Sequence, residues 1–206
     1  MTGLDSDPAL IAKAQNRGVP AIVGSWPEFG GSASFDAIAF TRSLHHISLL
    51  REAVGRAREV LNPTGSLLIE DFAYEEADEA TIGWLVKLLH SKQGMALIDP
   101  AAVKLVTELL SSTDPMDTWQ RNHQQDVHSI TSMNEAIAQY FVVREARLVP
   151  YLYRYLVPVL AETAEAAAFV SKAFQQEMVL GQRSEVMLLG RRMVASPRPR
   201  ERRNGA

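Results

Sequence analysis

The sequence predicts an α/β domain, a mostly parallel sheet with helices on both faces. Three observations carry this. Short apolar runs bounded by polar or turn residues alternate with stretches of helical period, the connections are short, and the order opens helix, strand, helix, strand. At 206 residues and 47% apolar composition, the chain has enough material for one sizeable core, since domains usually span about 100–200 residues.

Residues 7–17 carry Leu10, Ile11 and Ala14 at helical spacing, with Ser6 or Asp7 as N-cap, Pro8 in the first turn and Gly18 closing the helix. An apolar run over 21–23 and a turn at Gly30-Gly31-Ser32 lead to 35–40, which reads as a buried strand. Leu50, Ala53, Val54, Ala57, Val60 and Leu61 then line one helical face, and Asn62-Pro63-Thr64-Gly65 stops that helix before a buried strand at 67–69. Residues 75–113 are helix-rich, with Ile82, Leu85, Val86 and Leu89 on one face and a second helix over 101–110. Helix is expected at 133–140 and 161–176, extended chain at 141–148, and a last strand at 185–194. The domain is expected to cover 1–195 with 73–135 as a helical cap or insertion, and 196–206 to be a disordered basic tail.

Composition removes several function classes. The chain has no cysteine, which excludes disulfides, thiolate zinc sites and cysteine nucleophiles and fits a cytoplasmic setting. The first eight residues lack the apolar core of a signal peptide, and no apolar run approaches the ~18 residues of a membrane span, so no membrane partner is expected. Net charge is −3, but residues 191–206 hold six Arg and one Glu, a net +5, which leaves −8 on residues 1–190. An acidic body argues against a groove for nucleic acid.

Residues 35–47 read Phe-Asp-Ala-Ile-Ala-Phe-Thr-Arg-Ser-Leu-His-His-Ile, and 61–72 read Leu-Asn-Pro-Thr-Gly-Ser-Leu-Leu-Ile-Glu-Asp-Phe. This stretch resembles the class I S-adenosylmethionine-dependent methyltransferases. In that family a strand opening Phe-Asp ends in Leu-His-His, and a helix leads through Leu-x-Pro-x-Gly into the next strand. Upstream, Gly3-Leu4-Asp5 before Ser6-Asp7-Pro8 is similar to the family's second strand, whose terminal acid binds the cofactor's ribose. The resemblance is strong over residues 1–72 and looser beyond. It implies a Rossmann-like sheet with an antiparallel last strand, S-adenosyl-L-methionine as cofactor, and a small-molecule acceptor methylated at O or N. The family's first strand and Gly-x-Gly loop have no counterpart, as no Gly-x-Gly occurs in the chain. The expected fold is therefore N-terminally incomplete, with the reading frame continuing upstream of Met1 through a strand, a Gly-x-Gly turn and a helix, about 30–40 residues. A parallel sheet without a central strand leaves backbone groups unpaired on two neighbours.

A methyl sulfonium is electrophilic by itself, so the protein need only align donor and acceptor, exclude water and, where the acceptor is protonated, take its proton. Asp5, with Ser6, is the candidate for the ribose, because a carboxylate at a strand's carboxyl edge accepts two hydrogen bonds from a diol; the alternative is that Asp5 or Asp7 is only a helix cap, for which Asp-Ser-Asp-Pro is also a good sequence. Ser25 and Trp26 stand where the family contacts adenine, Ser25 as an acceptor and Trp26 by stacking, although Trp26 also suits the cover of a sheet edge. Thr41, Arg42 and Ser43 follow a strand at the edge where ligands bind in open parallel sheets, with their backbone as the contact.

His45 and His46 read either as a base with its support or as helix-entry residues bonded to backbone, and no carboxylate lies near them in sequence to orient a ring. His46 is retained as a catalytic candidate. Glu70 and Asp71 point to opposite faces, one of them toward the acceptor, and Asp71 joins the catalytic candidates. His123 and His128, in a polar run read as a loop, are candidates for acceptor contact or general base; no third clear ligand makes them a metal site. Tyr151, Tyr153 and Tyr155 with Arg154 suit an apolar pocket wall with polar tips, or ordinary core. The helix at 161–176 carries no chemical signal.

The expected function is S-adenosylmethionine-dependent methyl transfer to a small molecule. The alternative is a non-catalytic, truncated methyltransferase-like protein that acts through a partner or a homo-oligomer completing its sheet. A nicotinamide enzyme is disfavoured, because no Gly-x-Gly-x-x-Gly motif is present.

Overall fold

In the computed structural model, which describes residues 1–29, 34–99, 103–124 and 127–199, the chain opens with β1 (Gly3–Asp5), α1 (Pro8–Asn16) and β2 (Ala21–Val23). Asp7 caps α1 by accepting from the Ala9 N–H at 2.7 Å, and Gly18 turns the chain away with φ +76°. β1 and β2 pair in parallel as a sheet of their own. The second sheet contains β3 (Phe35–Thr41), β4 (Leu61–Phe72), β5 (Phe141–Val149) and β6 (Gly190–Pro197), in the order β3-β4-β6-β5. β3 runs parallel to β4, and the last strand, β6, is antiparallel to both neighbours, as expected.

Alternation along β4 decides where the core sits. Leu67, Ile69 and Asp71 turn inward while Leu68 and Glu70 turn out. Onto the inward face pack α2 (Leu50–Val60) and α7 (Ile130–Tyr140), whose Ala53, Val54, Ala57, Met133 and Ile137 join Phe40, Leu67, Ile69, Met193 and Ala195 in one cluster. A second cluster begins at Phe72, the last residue of β4. It is built from α3 (Glu79–Leu89), α5 (Lys104–Ser111), α6 (Pro115–His123), α8 (Ala164–Gln182) and the 3-10 run Leu152–Val159; α4 (Lys92–Leu97) follows α3. The site described below lies where the two clusters meet.

Several sequence expectations are corrected. Residues 35–40 form a strand but not a buried one: Phe40 is buried, Phe35 and Ile38 are half-buried, and Asp36, Ala37, Ala39 and Thr41 are exposed. β3 is the outermost strand of its sheet, so among the described residues nothing pairs with its second edge. Residues 62–65 belong to β4 instead of forming a separate turn. Phe35 pairs with Leu61 and Ala37 with Ser66, and Gly65 sits in the resulting bulge, where a Cβ would lie 2.9 Å from the Asp36 carbonyl oxygen.

Thr163 and Ser129 cap α8 and α7, which moves those helix starts to Ala164 and Ile130. α8 continues to Gln182, and residues 183–185 close it, with Ser184 at φ 58° and the Glu185 N–H on the Leu180 carbonyl. The last strand therefore begins at Gly190, not at 185. The polar run read as a loop begins as helix, since His123 is the last residue of α6. Residues 196–198, expected in a disordered tail, are ordered: Ser196 and Pro197 belong to β6, and Arg198 donates from its N–H to the Tyr140 carbonyl and from Nε to the Ala138 carbonyl. The turn at 30–32, the start of the 101–110 helix and residues 200–206 lie outside the described residues. Among the described residues no helix is long and apolar enough to cross a membrane.

This register has a measurable consequence. Leu67→Ala removes a fully buried side chain and is expected to cost about 2–5 kcal/mol. Leu68→Ala, at a side chain 39% exposed, is expected to stay within about 0.5 kcal/mol of the parent, both read from urea unfolding midpoints.

Candidate active site at the carboxyl ends of β3 and β4

The parallel pairing of β3 with β4 brings two sequence-distant segments to one edge. β3 ends at Thr41, Arg42 takes φ 56°, and its N–H donates to the Glu70 carbonyl at 2.6 Å. A non-glycine residue in the left-handed region marks a chain path imposed by its surroundings. The reversal drops the 3-10 turn Leu44–His46 onto the end of β4, where His45 is 4% exposed and Asp71 fully buried.

Asp71 accepts from three donors. His45 Nδ1 lies 2.5 Å from Asp71 Oδ1, the Phe72 N–H donates to the same oxygen at 3.0 Å, and the His45 N–H reaches Oδ2 at 3.3 Å. A proton on Nδ1 directed at the carboxylate leaves Nε2 as the lone-pair nitrogen of a neutral ring. The orienting carboxylate is thus 26 residues from the histidine it serves. With no carboxylate near in sequence, the choice between the two histidines falls on His46 and not on His45; the signal lies in the parallel register Thr41↔Glu70, which sets the residues after β3 beside Asp71. His46 is exposed, its ring centroid 4.0 Å from that of His45.

Aromatic rings surround the pair. Phe72 meets His45 edge-on at 4.9 Å and stacks flat on Tyr151 at 4.4 Å. Beyond Phe72, His123 donates from Nδ1 to the Trp119 carbonyl at 2.7 Å and accepts at Nε2 from the Tyr155 hydroxyl at 2.8 Å. Both of its nitrogens are engaged, and burial holds its pKa below the usual histidine range. The phenols of Tyr151 and Tyr155 are pushed well above the ordinary tyrosine range by burial, so both remain donors. His128 grips the 3-10 turn from outside, its N–H on the His45 carbonyl at 2.8 Å and its Nε2–H on the Ile47 carbonyl at 2.9 Å.

Glu70 faces away from this group and pairs with Arg154 and with Arg192, the latter at 2.7 Å. The remaining candidates lie elsewhere along the strand ends. Asp5 is exposed at the end of β1 and accepts the Asp7 N–H at 2.8 Å, and since Asp7 does the capping, Asp5 is not the helix cap. Ser6 is exposed beside it, and exposed Ser25 donates to Glu28 at 3.0 Å. Trp26 meets Phe40 edge-on at 5.7 Å and donates from Nε1 to the Ala53 carbonyl at 2.9 Å, so its indole ties the first sheet to α2. Thr41 and Arg42 are exposed and Ser43 is half-buried. The structure therefore brings His45, His46, Asp71, His123 and His128 together, while Asp5, Ser6, Ser25 and Trp26 belong to the two-stranded sheet and the loop after it. Among the described residues no group of His, Cys, Asp or Glu could hold a metal ion.

Residues 1–69 match the family model described as a methyltransferase domain. The resemblance to the class I methyltransferases holds. The solved structure of the PH0226 protein from Pyrococcus horikoshii OT3 aligns over 96% of this chain and 71% of its own, with a TM-score of 0.52 and 16% identity. A structure of the complex containing the Haloferax volcanii Trm112 methyltransferase activator aligns over 95% and 70%, at 0.51 and 14%. Geranyl diphosphate methyltransferase in complex with SAM aligns over 95% and 67%, at 0.50 and 13%. At these identities the likeness is one of fold. No curated protein matches in sequence.

The burial of His123 predicts a pH effect of definite sign. Its folded pKa lies below the unfolded value of about 6.5, so its contribution to stability is complete above that pH and is lost as pH falls through the folded value. Melting temperatures of the parent are expected to drop more steeply between about pH 7 and pH 5 than those of His123→Gln, as read by thermal scans in matched buffers.

Proposed function

We propose that this protein transfers a methyl group from S-adenosyl-L-methionine to an oxygen or nitrogen of a small-molecule acceptor, with His45 as the general base and Asp71 as its orienting carboxylate. The observation that carries the reading is the buried His45–Asp71 pair, set at the carboxyl ends of parallel strands in a methyltransferase-like fold. Ligands in open α/β sheets bind at that edge.

The cofactor supplies a sulfonium methyl that is electrophilic without metal assistance. Asp5 fits the ribose end, because it is exposed at a strand's carboxyl edge and its hydrogen bond to the Asp7 N–H uses only Oδ1. Ser6 stands beside it, Ser25 fits the adenine as a hydroxyl partner, and the Thr41–Ser43 backbone offers polar groups at the neighbouring strand end. The catalytic work of the chain itself is proton transfer and exclusion of water. His45 Nε2 accepts the acceptor's proton, and Asp71 holds the ring in the reactive tautomer and stabilises the imidazolium that results. Phe72 and Tyr151 close one side against water, and His128 fixes the turn that aims His45.

A positioned base of this kind contributes about 10²–10⁴-fold to rate. Asp71→Asn and His45→Gln are expected to lower methyl transfer from labelled cofactor to a panel of hydroxyl and amine acceptors within that range. S-adenosylhomocysteine should bind parent and variants within about twofold by calorimetry. Unchanged rates in both variants would remove His45 as base, and absence of any heat with S-adenosylhomocysteine would remove the methyltransferase reading itself.

One observation favours a second reading: the open edge of β3 and the separate β1–β2 pair offer backbone groups to an added strand. A non-catalytic protein whose sheet is completed by a partner or a second copy would use that edge. Light scattering separates the two, since a monomer that binds S-adenosylhomocysteine supports the enzyme and a stable oligomer without binding supports the alternative.

A further inference from the structure

α8 turns one stripe inward, Ala166, Phe169, Ala173 and Glu177, at spacings of three and four residues. Three members suit a core and the fourth is an acid with no exposure to solvent. Burying a carboxylate costs several kcal/mol unless hydrogen bonds compensate it, and an apolar residue of similar volume would serve packing at least as well. The reason for an acid at this position lies in what it holds.

Glu177 Oε1 accepts the N–H groups of Tyr151 and Leu152 at 2.6 and 2.9 Å, and Oε2 accepts that of Tyr153 at 3.0 Å. These N–H groups open the 3-10 run Leu152–Val159, whose N-cap residue Tyr151 makes no side-chain capping bond. The first N–H groups of any helix lack partners within it, and here one carboxylate from a distant helix satisfies three. The segment so fixed carries the wall of the site. The Tyr151 ring lies on Phe72 with an interplanar angle of 1°, Arg154 sits over the rings of Tyr151 and Tyr153 and reaches Glu70, and the Tyr155 hydroxyl donates to His123.

We infer that Glu177 is a positioning residue, a carboxylate clamp on the backbone of 151–153 that sets Tyr151 against Phe72, which packs on His45, and Tyr155 against His123. The functional part of this inference rests on the proposed function; the clamp does not. Glu177 touches none of the reacting groups and acts through Tyr151 on Phe72, and through Phe72 on His45. Its loss leaves three backbone donors unpaired, so the segment moves until water reaches them, and both phenols become accessible.

The test is ultraviolet titration of tyrosinate in the unliganded protein. Raising the pH to about 11 ionises an ordinary tyrosine but not one held in the fold as Tyr151 and Tyr155 are. Glu177→Gln and Glu177→Leu are each expected to gain about two tyrosinates over the parent at that pH, while circular dichroism stays that of the folded chain. If the side chain only filled space, the leucine variant would titrate like the parent, and that result would overturn the clamp. Hydrogen exchange of the unaltered protein supplies a measurement that needs no variant. The amides of Tyr151, Leu152 and Tyr153 should exchange at least about 100-fold more slowly than free amides, and exchange at the free rate would overturn the proposal. S-adenosylhomocysteine affinity of the folded variants should remain within about twofold of the parent; failure of the parent to bind it removes the methyltransferase reading and leaves the clamp standing.

Discussion

Asp71 is a carboxylate wholly removed from water, and the organisation around the end of β4 follows from keeping it supplied with donors. The inward face of β4 is apolar up to this residue, so an acid there persists only because the chain brings three donors to it. Two come from His45 and fix both the imidazole and the backbone of its turn. Removing one member of such a buried pair costs about 3–5 kcal/mol, which is why the turn after β3 has one path. The left-handed Arg42, the grip of His128 and the edge-on Phe72 are parts of the same constraint.

Around this centre the charges sort by depth. The outward neighbour of Asp71, Glu70, lies between Arg154 and Arg192, and Glu76 pairs with Arg191 on the last strand. The arginines at 191 and 192 on the last strand therefore neutralise acids on β4 and on the turn that follows it. Pairs at this depth are partly screened and contribute modestly to stability, but they define where the helical cluster meets the sheet. Glu177 follows the opposite rule: deep in the structure and paired with backbone N–H groups, it keeps a raised pKa chiefly because burial outweighs the three hydrogen bonds it accepts.

Among the described residues both outer strands of the sheet, β3 and β5, have an unpaired edge. On β5, antiparallel to β6, the exposed charged side chains Arg144, Glu145 and Arg147 line the strand, a pattern that discourages pairing with other chains. β3 carries a single exposed charge, Asp36 near its start, and its exposed Ala37, Ala39 and Thr41 carry neither charge nor proline.

The sequence by itself determined the class of fold and the position of most elements. Apolar period and caps are local, so helices such as α1 and α2 and strands such as β3 and β4 are written in contiguous residues. The methyltransferase resemblance was legible for the same reason, since its motifs lie within single strands and the loops that follow them. What only the tertiary structure decided is which polar groups meet. His45 finds Asp71 across 26 residues, His123 finds Tyr155 across 32, and Glu177 finds the Tyr151 amide across 26. Hydrogen bonds at that separation depend on strand register and helix packing, which no short window encodes. Burial follows the same division: the apolar run at 35–40 predicts a strand, but only the order of strands decides that one side of it stays exposed.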